Sequence, residues 1–271
     1  MEKIILEKIG SDIEWALTDV NTGEYVSAEG LVKGSKEEPF RFDPKNKYFA
    51  TSLDNVLYEG NIPPARTPFE FYKNVNKLAS WMQQSLPENL QLTPVASARY
   101  DEKYLQTDQA RIYGCSVSYN CWNGKAIHPK PDGSNNRGIG FHLHYSYKNP
   151  SFKTNKDIAK ALDLFLGIPS VIIEPENERR KTGYGCAGNI RYTGYGFEYR
   201  SLSSYFASSQ ELTEWCFRNS REAIKFLNKG GLSFIEERGD EIQNTINFED
   251  KNHAQELINE FKIKMPSCFL V

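Results

Sequence analysis

Pairs of chemically capable side chains recur two positions apart in this chain, with apolar residues between them. The pairs are Asp12 and Glu14, His142 and His144, and Glu198 and Arg200. Residues i and i+2 of a β-strand share one face, so each pair would present both side chains on the same side of a sheet. A sheet face that carries carboxylates, imidazoles and a guanidinium has the composition of an active site. The alternative is a set of ordinary strands with one solvated face, which accounts for any single pair better than for all of them together.

The negative charge on this predicted face would have to be balanced, and divalent cations are suited to balance it. A fourth alternating run, Asn55 to Ile62, adds Glu59, so four carboxylates would share the surface. Closely spaced carboxylates raise one another's pKa and cannot all stay ionised without a cation. Oxygen-rich ligand sets suit Mg²⁺ or Mn²⁺ and tolerate an added imidazole. Iron or zinc would also accept the His-x-His pair, but the excess of carboxylates favours Mg²⁺ and phosphate chemistry.

Arginines lie close to the same segments and suit a phosphate substrate. They are Arg137, Arg179, Arg180, Arg191 and Arg200. Guanidinium groups pair with phosphoryl oxygens through two parallel hydrogen bonds. For Arg179 a surface ion pair is the favoured interpretation.

A glycine-rich stretch, Gly183 to Gly188, matches the G-x-G-x-x-G pattern of dinucleotide-binding folds. It follows a charged segment instead of an apolar strand, and no acidic residue follows about twenty positions on, where the ribose ligand would lie. We therefore reject a Rossmann fold. A glycine loop beside a phosphate remains open.

Size and composition indicate a globular protein of the cytoplasm. The chain has 271 residues, 39% hydrophobic residues and a formal net charge of -2, which gives no electrostatic argument for nucleic acid or an anionic membrane. No apolar run approaches the length of a membrane span. Five cysteines without paired spacing fit a reducing compartment.

Helices with recognisable starts alternate with the strands. Thr67 and Pro68 open a helix with an apolar stripe that ends before Pro87. A second helix is predicted to begin at Thr154 and to stop at Gly167 and Pro169. Two more are predicted from Ser208 to Gly230 and from Asn252 to Lys264. A polar loop over the mouth of the site is predicted for Asn123 to Arg137. The strands alternate polar and apolar residues, so an α+β fold with a mainly antiparallel sheet is favoured over parallel βαβ units.

Five segments, taken in order, carry a family resemblance. They are Gly10–Trp15, Asp54–Pro64, Arg137–His144, Tyr184–Arg191 and Tyr195–Ser203. The set resembles the phage-type carboxylate–amine ligases (amidoligase type 2) of the glutamine synthetase superfamily, over about residues 10–206. The block from Arg179 to Phe206 is its most specific part.

The resemblance implies a curved, mainly antiparallel sheet forming a funnel or half-barrel, with helices on its outer face. Residues 1–271 would form one catalytic domain, with a core of about 10–206 and C-terminal helices over 207–271. The metal ligands implied are Asp12, Glu14, Glu59, His142 and Glu198. Nucleotide would be bound by His144, Arg180, Tyr184 and Ser146, and the phosphate-facing catalytic arginines would be Arg200, Arg191 and Arg137.

The activity implied is ATP- and Mg²⁺- (or Mn²⁺-) dependent ligation. A substrate carboxylate and an amine would be joined in an amide or isopeptide bond through an acyl phosphate, with no nucleic-acid or membrane partner. A kinase on the same scaffold and a non-catalytic phage structural or interaction protein are the alternatives. The identities of the carboxylate and the amine, and the oligomeric state, stay open.

Overall fold

The computed structural model describes residues 3–111, 117–127, 134–175 and 178–269. The strands are β1 (Leu6–Asp19), β2 (Tyr25–Val26), β3 (Phe40–Arg41), β4 (Ala50–Asp54), β5 (Leu57–Ala65), β6 (Leu90–Thr93), β7 (Ser97–Arg99), β8 (Ser118–Asn120), β9 (Ala126–Ile127), β10 (Asn136–Gly138), β11 (Phe141–Tyr147), β12 (Asn189–Thr193) and β13 (Gly196–Tyr199). The α-helices are α1 (Pro68–Gln84), α2 (Asp108–Arg111), α3 (Phe152–Leu162), α4 (Ile168–Ile173), α5 (Gln210–Asn228), α6 (Leu232–Glu237), α7 (Gly239–Asn247) and α8 (Lys251–Glu260).

The long strand β1 is the centre of the sheet. In the described residues eleven strands pair, in the order β3-β4-β5-β1-β11-β13-β12-β8-β9, with β2 and β6 added along the second half of β1. Neighbours are antiparallel, and the sheet does not close into a barrel. Strands β7 and β10 form a separate antiparallel pair. The predicted combination of helices with a large, mainly antiparallel sheet is confirmed.

Helices cover the apolar face of the sheet. Phe141 of β11 packs against Phe71 of α1 with ring centroids 6.1 Å apart, and the Tyr145 hydroxyl lies 2.7 Å from Ser220 Oγ of α5. Since side chains alternate along a strand, His142 and His144 face the other way. The predicted alternation therefore separates a packing face from a polar face.

Helix α1 forms as its sequence predicts. The Thr67 side chain accepts a hydrogen bond from Glu70 N at 3.1 Å, which satisfies one of the free amides of the first turn. The buried side chains of α1 are Phe71, Val75, Leu78 and Met82. Opposite them Gly60 of β5 has no side chain, and a Cβ there would lie 2.8 Å from Leu78 Cδ2.

The second predicted helix differs at both ends. It begins at Phe152, where Ser151 accepts a hydrogen bond from Thr154 N at 3.1 Å, so Ser151 is the cap in place of Thr154. The predicted stop at Gly167 and Pro169 is wrong. A π-helical turn over Asp163–Gly167 leads directly into α4, and Pro169 is the second residue of α4, immediately after this wider turn, so the helix continues past both residues.

The remaining boundaries shift less. Ser209, one residue after the predicted cap, opens α5, and α8 spans Lys251–Glu260. The predicted loop from Asn123 to Arg137 contains β9 and most of β10, and its residues 128–133 lie outside the described residues.

The C-terminal helices share the core of the sheet. Ile224, Ile242 and Leu257 belong to the same buried apolar cluster as Ile13 and Phe197. Among the helices that the structure describes, none combines the length and the apolar composition that a bilayer crossing requires.

Removing the Leu78 side chain should show how much the contact between α1 and the sheet stabilises the fold. Leu78 is fully buried against Gly60, so Leu78→Ala leaves a cavity and should lower the free energy of unfolding by about 2–5 kcal/mol in urea denaturation. The control is Asn76→Ala, an exposed position of the same helix, with an expected change within about 0.5 kcal/mol. Equal stability of the two variants would contradict this account of the packing.

Candidate active site

The pairing register of β1 brings the predicted pairs together. Asp12 lies opposite His142 of β11 on one side and opposite Asn61 of β5 on the other, and Glu14 lies opposite Glu59. Directly opposite residues of antiparallel strands share a face and have neighbouring Cβ atoms.

The row of polar side chains continues across the next two strands. His144 of β11 lies opposite Glu198 of β13, and Glu198 lies opposite Arg191 of β12. Arg200 follows immediately after β13. Side chains from five strands therefore meet on one face.

Three ligand atoms converge at the centre of this row. His142 Nδ1 lies 3.0 Å from Asp12 Oδ1 and 3.5 Å from Glu198 Oε1. Ligand atoms of these three buried residues all lie within 4.8 Å of one another, and we call these residues the central cluster. His144 Nε2 approaches the same Asp12 oxygen at 3.1 Å.

The contacts in the central cluster are close but not aligned as hydrogen bonds. Asp12 Oδ1, His142 Nδ1 and His144 Nε2 are buried without a hydrogen-bond partner of acceptable geometry. A buried polar atom without a partner is costly. Oxygen and imidazole nitrogen atoms directed at a common point are the donor set of a divalent cation, so the residues fit such an ion.

The imidazoles control the charge of Asp12. Burial by itself would raise the pKa of this carboxyl, but His144 and His142 lower it well below its usual range. For His144, burial acts to lower the pKa, but Asp12 and Glu198 together outweigh this effect, so the pKa is raised. The carboxylate is therefore ionised beside the two rings.

Two arginines flank Glu198. Arg191 Nε donates to Glu198 Oε2 at 2.6 Å, and Arg200 Nη1 forms an ion pair with Glu198 Oε1. Arg191 Nη2 also lies 3.7 Å from Asp12 Oδ2. Arg200 is buried, while the Arg191 side chain keeps 30% of its exposure. Guanidinium groups beside a cation site are positioned to meet phosphoryl oxygens.

Tyr184 enters the site from the glycine-rich loop. Its hydroxyl donates to Glu14 Oε1 at 2.9 Å and lies 2.9 Å from His142 Nε2. The backbone N–H of Gly140 donates to Glu14 Oε2 at 2.5 Å. Burial raises the pKa of Glu14, and His142 and this backbone donor partly offset the effect.

An acidic end of the site lies beyond Glu14. Burial and the charges of Asp12, Asp54 and Glu14 raise the pKa of Glu59 well above its ordinary value. Lys36 Nζ lies 2.8 Å from Asp54 Oδ2. Burial acts to lower the pKa of Lys36, but Asp54, Glu59 and Glu14 outweigh this effect, so the pKa is raised. Sequence reasoning gave Asp54 no role although it lies in a family-like segment, and Lys36 lies in an irregular segment without a signal.

A cleft of about 520 Å³ opens at the His144 end. Its lining includes His144, Ser146, Tyr195, Tyr48, Lys8, Arg41 and Lys47. The Tyr195 hydroxyl lies 2.8 Å from His144 Nδ1, and the two rings stack with centroids 6.2 Å apart. The cleft thus combines aromatic surface with positive charge. Ser146 lies here as its strand position predicts, and no sequence signal indicated the three cationic residues.

Arg180 lies in a buried ion-pair network. Its guanidinium contacts Glu174 Oε2 at 3.1 Å, Ser170 Oγ at 2.7 Å and Glu249 Oε1 at 3.1 Å. Arg179 pairs with the same Glu174 at 2.8 Å, and this pair is buried instead of lying on the surface as predicted. The nucleotide-binding role of Arg180 stays a prediction that these contacts do not favour.

Arg137 also contacts backbone and amide groups away from the central cluster. Its Nε donates to Asn55 Oδ1 at 3.1 Å, and its Nη2 donates to the Ala110 carbonyl at 3.2 Å. These bonds tie the segment before β11 to the β4–β5 turn. A catalytic role for Arg137 stays a prediction.

Comparison with protein families confirms the resemblance. A profile of the family described as phage phiEco32-like COOH.NH2 ligase-type 2 matches residues 134–223. That stretch holds His142, His144, Arg191, Glu198 and Arg200. The match supports a carboxylate–amine ligase.

Curated proteins and solved structures were also compared with the chain. A search of curated proteins gives no match. Among solved structures, the chain is similar to a bifunctional glutathione synthetase from Pasteurella multocida, with a TM-score of 0.45, 13% identity, and coverage of 97% of this chain and 47% of that one. The chain spans about half the length of that protein. Similarity at this level carries no argument about the activity of the present chain.

A thermal-shift titration with Mn²⁺ should show whether the central cluster binds a cation. Binding to the folded state alone stabilises it by about 2.7 kcal/mol at a hundredfold excess over Kd, so the Tm of the wild type should rise. Asp12→Asn removes a ligand charge and should abolish most of that rise.

Asp19→Asn is the matched control, because it makes the same exchange at the far end of β1. Its Tm should rise with Mn²⁺ as in the wild type. An equal response of Asp12→Asn and Asp19→Asn would place the cation elsewhere.

Proposed function

We propose that this protein is an ATP-dependent carboxylate–amine ligase that requires Mg²⁺ or Mn²⁺ and releases ADP. The observation that carries the proposal is the central cluster, in which Asp12, His142 and Glu198 present converging ligand atoms beside two arginines. We also propose that the antiparallel sheet corresponds to the glutamine-synthetase-like half-barrel, with residues 10–206 as the catalytic core and 207–271 as supporting helices.

The proposed cation ligands are Asp12, His142 and Glu198, with Glu14 and Glu59 at the acidic end. When bound, Mg²⁺ would supply positive charge against which the phosphate oxygens of ATP can be held. The donor set of carboxylates with one imidazole accords with either metal. Removal of the cation by chelation should therefore stop ADP formation.

The cleft beside His144 is the proposed nucleotide site. Tyr48 and Tyr195 offer flat surfaces for a base, and Lys8, Arg41 and Lys47 offer positive charge for phosphates. The cleft opens directly onto the central cluster through His144, whose Nε2 contacts Asp12. This continuity would bring the γ-phosphate toward Arg191 and Arg200.

The proposed reaction proceeds in two steps. An oxygen of the substrate carboxylate attacks the γ-phosphorus of ATP, the bond to the bridging oxygen of ADP breaks, and an acyl phosphate forms. The ammonium group of the second substrate gives one proton to solvent, the neutral amine attacks the acyl carbon, the C–O bond to phosphate breaks, and the nitrogen gives a second proton to solvent or to the departing inorganic phosphate. Arg191 and Arg200 would stabilise charge on the transferring phosphoryl group, which is the chief electrostatic requirement of the first step.

Glu198→Gln tests the assignment with little change of shape. Loss of this charge disturbs both arginines and the central cluster, so ADP formation with ATP, Mg²⁺ and a pool of amino acids or peptides should fall at least about 100-fold. Glu214→Gln is the matched control, since Glu214 is ion-paired with Arg218 on α5 and should keep the wild-type rate. Circular dichroism should show that both variants fold.

The products separate the proposal from its alternatives. A ligase gives ADP and a new mass smaller than its two substrates together by one water. A stable phosphorylated product without that mass would identify a kinase. Absence of Mg²⁺-dependent ATP binding, or wild-type ADP release from Glu198→Gln, would contradict an enzymatic role for the cluster.

A further inference from the structure

The hydroxyl of Tyr184 joins two residues that the proposed function treats as separate ligands. It lies 2.9 and 3.0 Å from the carboxylate oxygens of Glu14 and 2.9 Å from His142 Nε2. His142 Nδ1, on the other side of the ring, is the atom that faces Asp12 and Glu198. The two nitrogens of one imidazole therefore face two different environments.

The protons in the hydrogen bonds among Glu14, Tyr184 and His142 can be assigned from the chemistry of these groups. A tyrosine hydroxyl has one hydrogen, and an ionised carboxylate can only accept. If the hydrogen goes to Glu14, the phenolic oxygen is left to accept from His142 Nε2–H. A neutral imidazole protonated at Nε2 carries its lone pair on Nδ1, and the hydrogen bond made by one ring nitrogen sets the role of the other.

Two glycines make room for this arrangement. Gly140 precedes His142 by two positions, and a Cβ there would lie 2.3 Å from His142 Nε2 and 2.5 Å from the Tyr184 hydroxyl. A Cβ at Gly138 would lie 2.6 Å from Tyr184 Cδ1. Gly140 also donates its N–H to Glu14 Oε2 at 2.5 Å. Any larger residue at either position would displace the tyrosine ring or its hydroxyl.

We infer that Tyr184 is a positioning residue, which, held by Glu14, keeps the proton of His142 on Nε2 and directs the Nδ1 lone pair at the point between Asp12 and Glu198. The inference rests on the proposed function only in that a cation uses this lone pair. Glu14 then acts on His142 through Tyr184, in addition to any contact of its own with a cation. Hydrogen-bond partners of this kind fix ring orientation and tautomer and raise the basicity of the ligand.

The tautomer can be measured in protein loaded with Mg²⁺, which is diamagnetic and takes up the Nδ1 lone pair that otherwise faces two carboxylates. Long-range ¹H–¹⁵N correlation NMR of the Mg²⁺-loaded protein should show His142 protonated at Nε2. The signals are assigned by their loss in His142→Gln. A wild-type ring protonated at Nδ1 would overturn the inference, whether or not the protein is a ligase.

Tyr184→Phe removes the hydroxyl and keeps the ring. Without its partner the Nε2 tautomer loses its advantage, and Mn²⁺ affinity measured by calorimetry should weaken about 10–100-fold. Tyr145→Phe is the matched control. Tyr145 lies on β11, the strand that carries His142, but on its opposite face, and the substitution removes a buried hydroxyl bonded to Ser220. This variant should bind Mn²⁺ as the wild type does.

The outcomes distinguish this inference from the proposed function. Tyr184→Phe that binds Mn²⁺ as tightly as the wild type overturns the positioning role and leaves the ligase proposal intact. A wild type that binds Mn²⁺ but forms no ADP overturns the ligase proposal, while the comparison of Mn²⁺ affinity between the wild type and Tyr184→Phe still decides the role of Tyr184. A wild type that binds no Mn²⁺ overturns both. ADP formation and tight Mn²⁺ binding by the wild type, together with weak Mn²⁺ binding by Tyr184→Phe, support both.

Discussion

Glu198 is a fully buried carboxylate whose charge is balanced by Arg191 and Arg200, and the geometry of the site follows from that balance. An isolated ionised group in such a position would be too costly to maintain. With both guanidinium groups in place, one carboxylate oxygen can still face His142 at 3.5 Å. The arginines thus fix Glu198 and at the same time stand where a phosphate would meet the cluster.

The pairing of β1 with β11 and β5 positions the other polar side chains of the site. Asp12 is opposite His142 on one side, and Glu14 is opposite Glu59 on the other. A slip of one residue in either pairing would turn every side chain of the strand to the opposite face. The apolar residues between the polar ones, such as Ile13 and Leu143, are fully buried, so the core that they form keeps the register of the active face.

Local patterns predicted the parts of the fold that depend on nearby residues. Thr67 capped α1 as expected, because a cap and its amide partner lie within one helical turn. The prediction failed at Gly167, where burial of the whole segment Asp163–Gly167 sustains a π turn between α3 and α4. Glycine and proline favour a helix end by local preference, and tertiary packing overrides such preferences.

Strand periodicity was enough to predict which side chains share a face, because it is a property of neighbouring residues. Thus Asp12, His142 and Glu198 could be chosen before any contact was known. Two contacts could be known only from the folded chain: Tyr184 donates a hydrogen bond to Glu14, 170 positions away, and Arg180 forms an ion pair with Glu174. Those contacts depend on how loops cross between strands, and the direction of a loop is set by the packing of the whole chain.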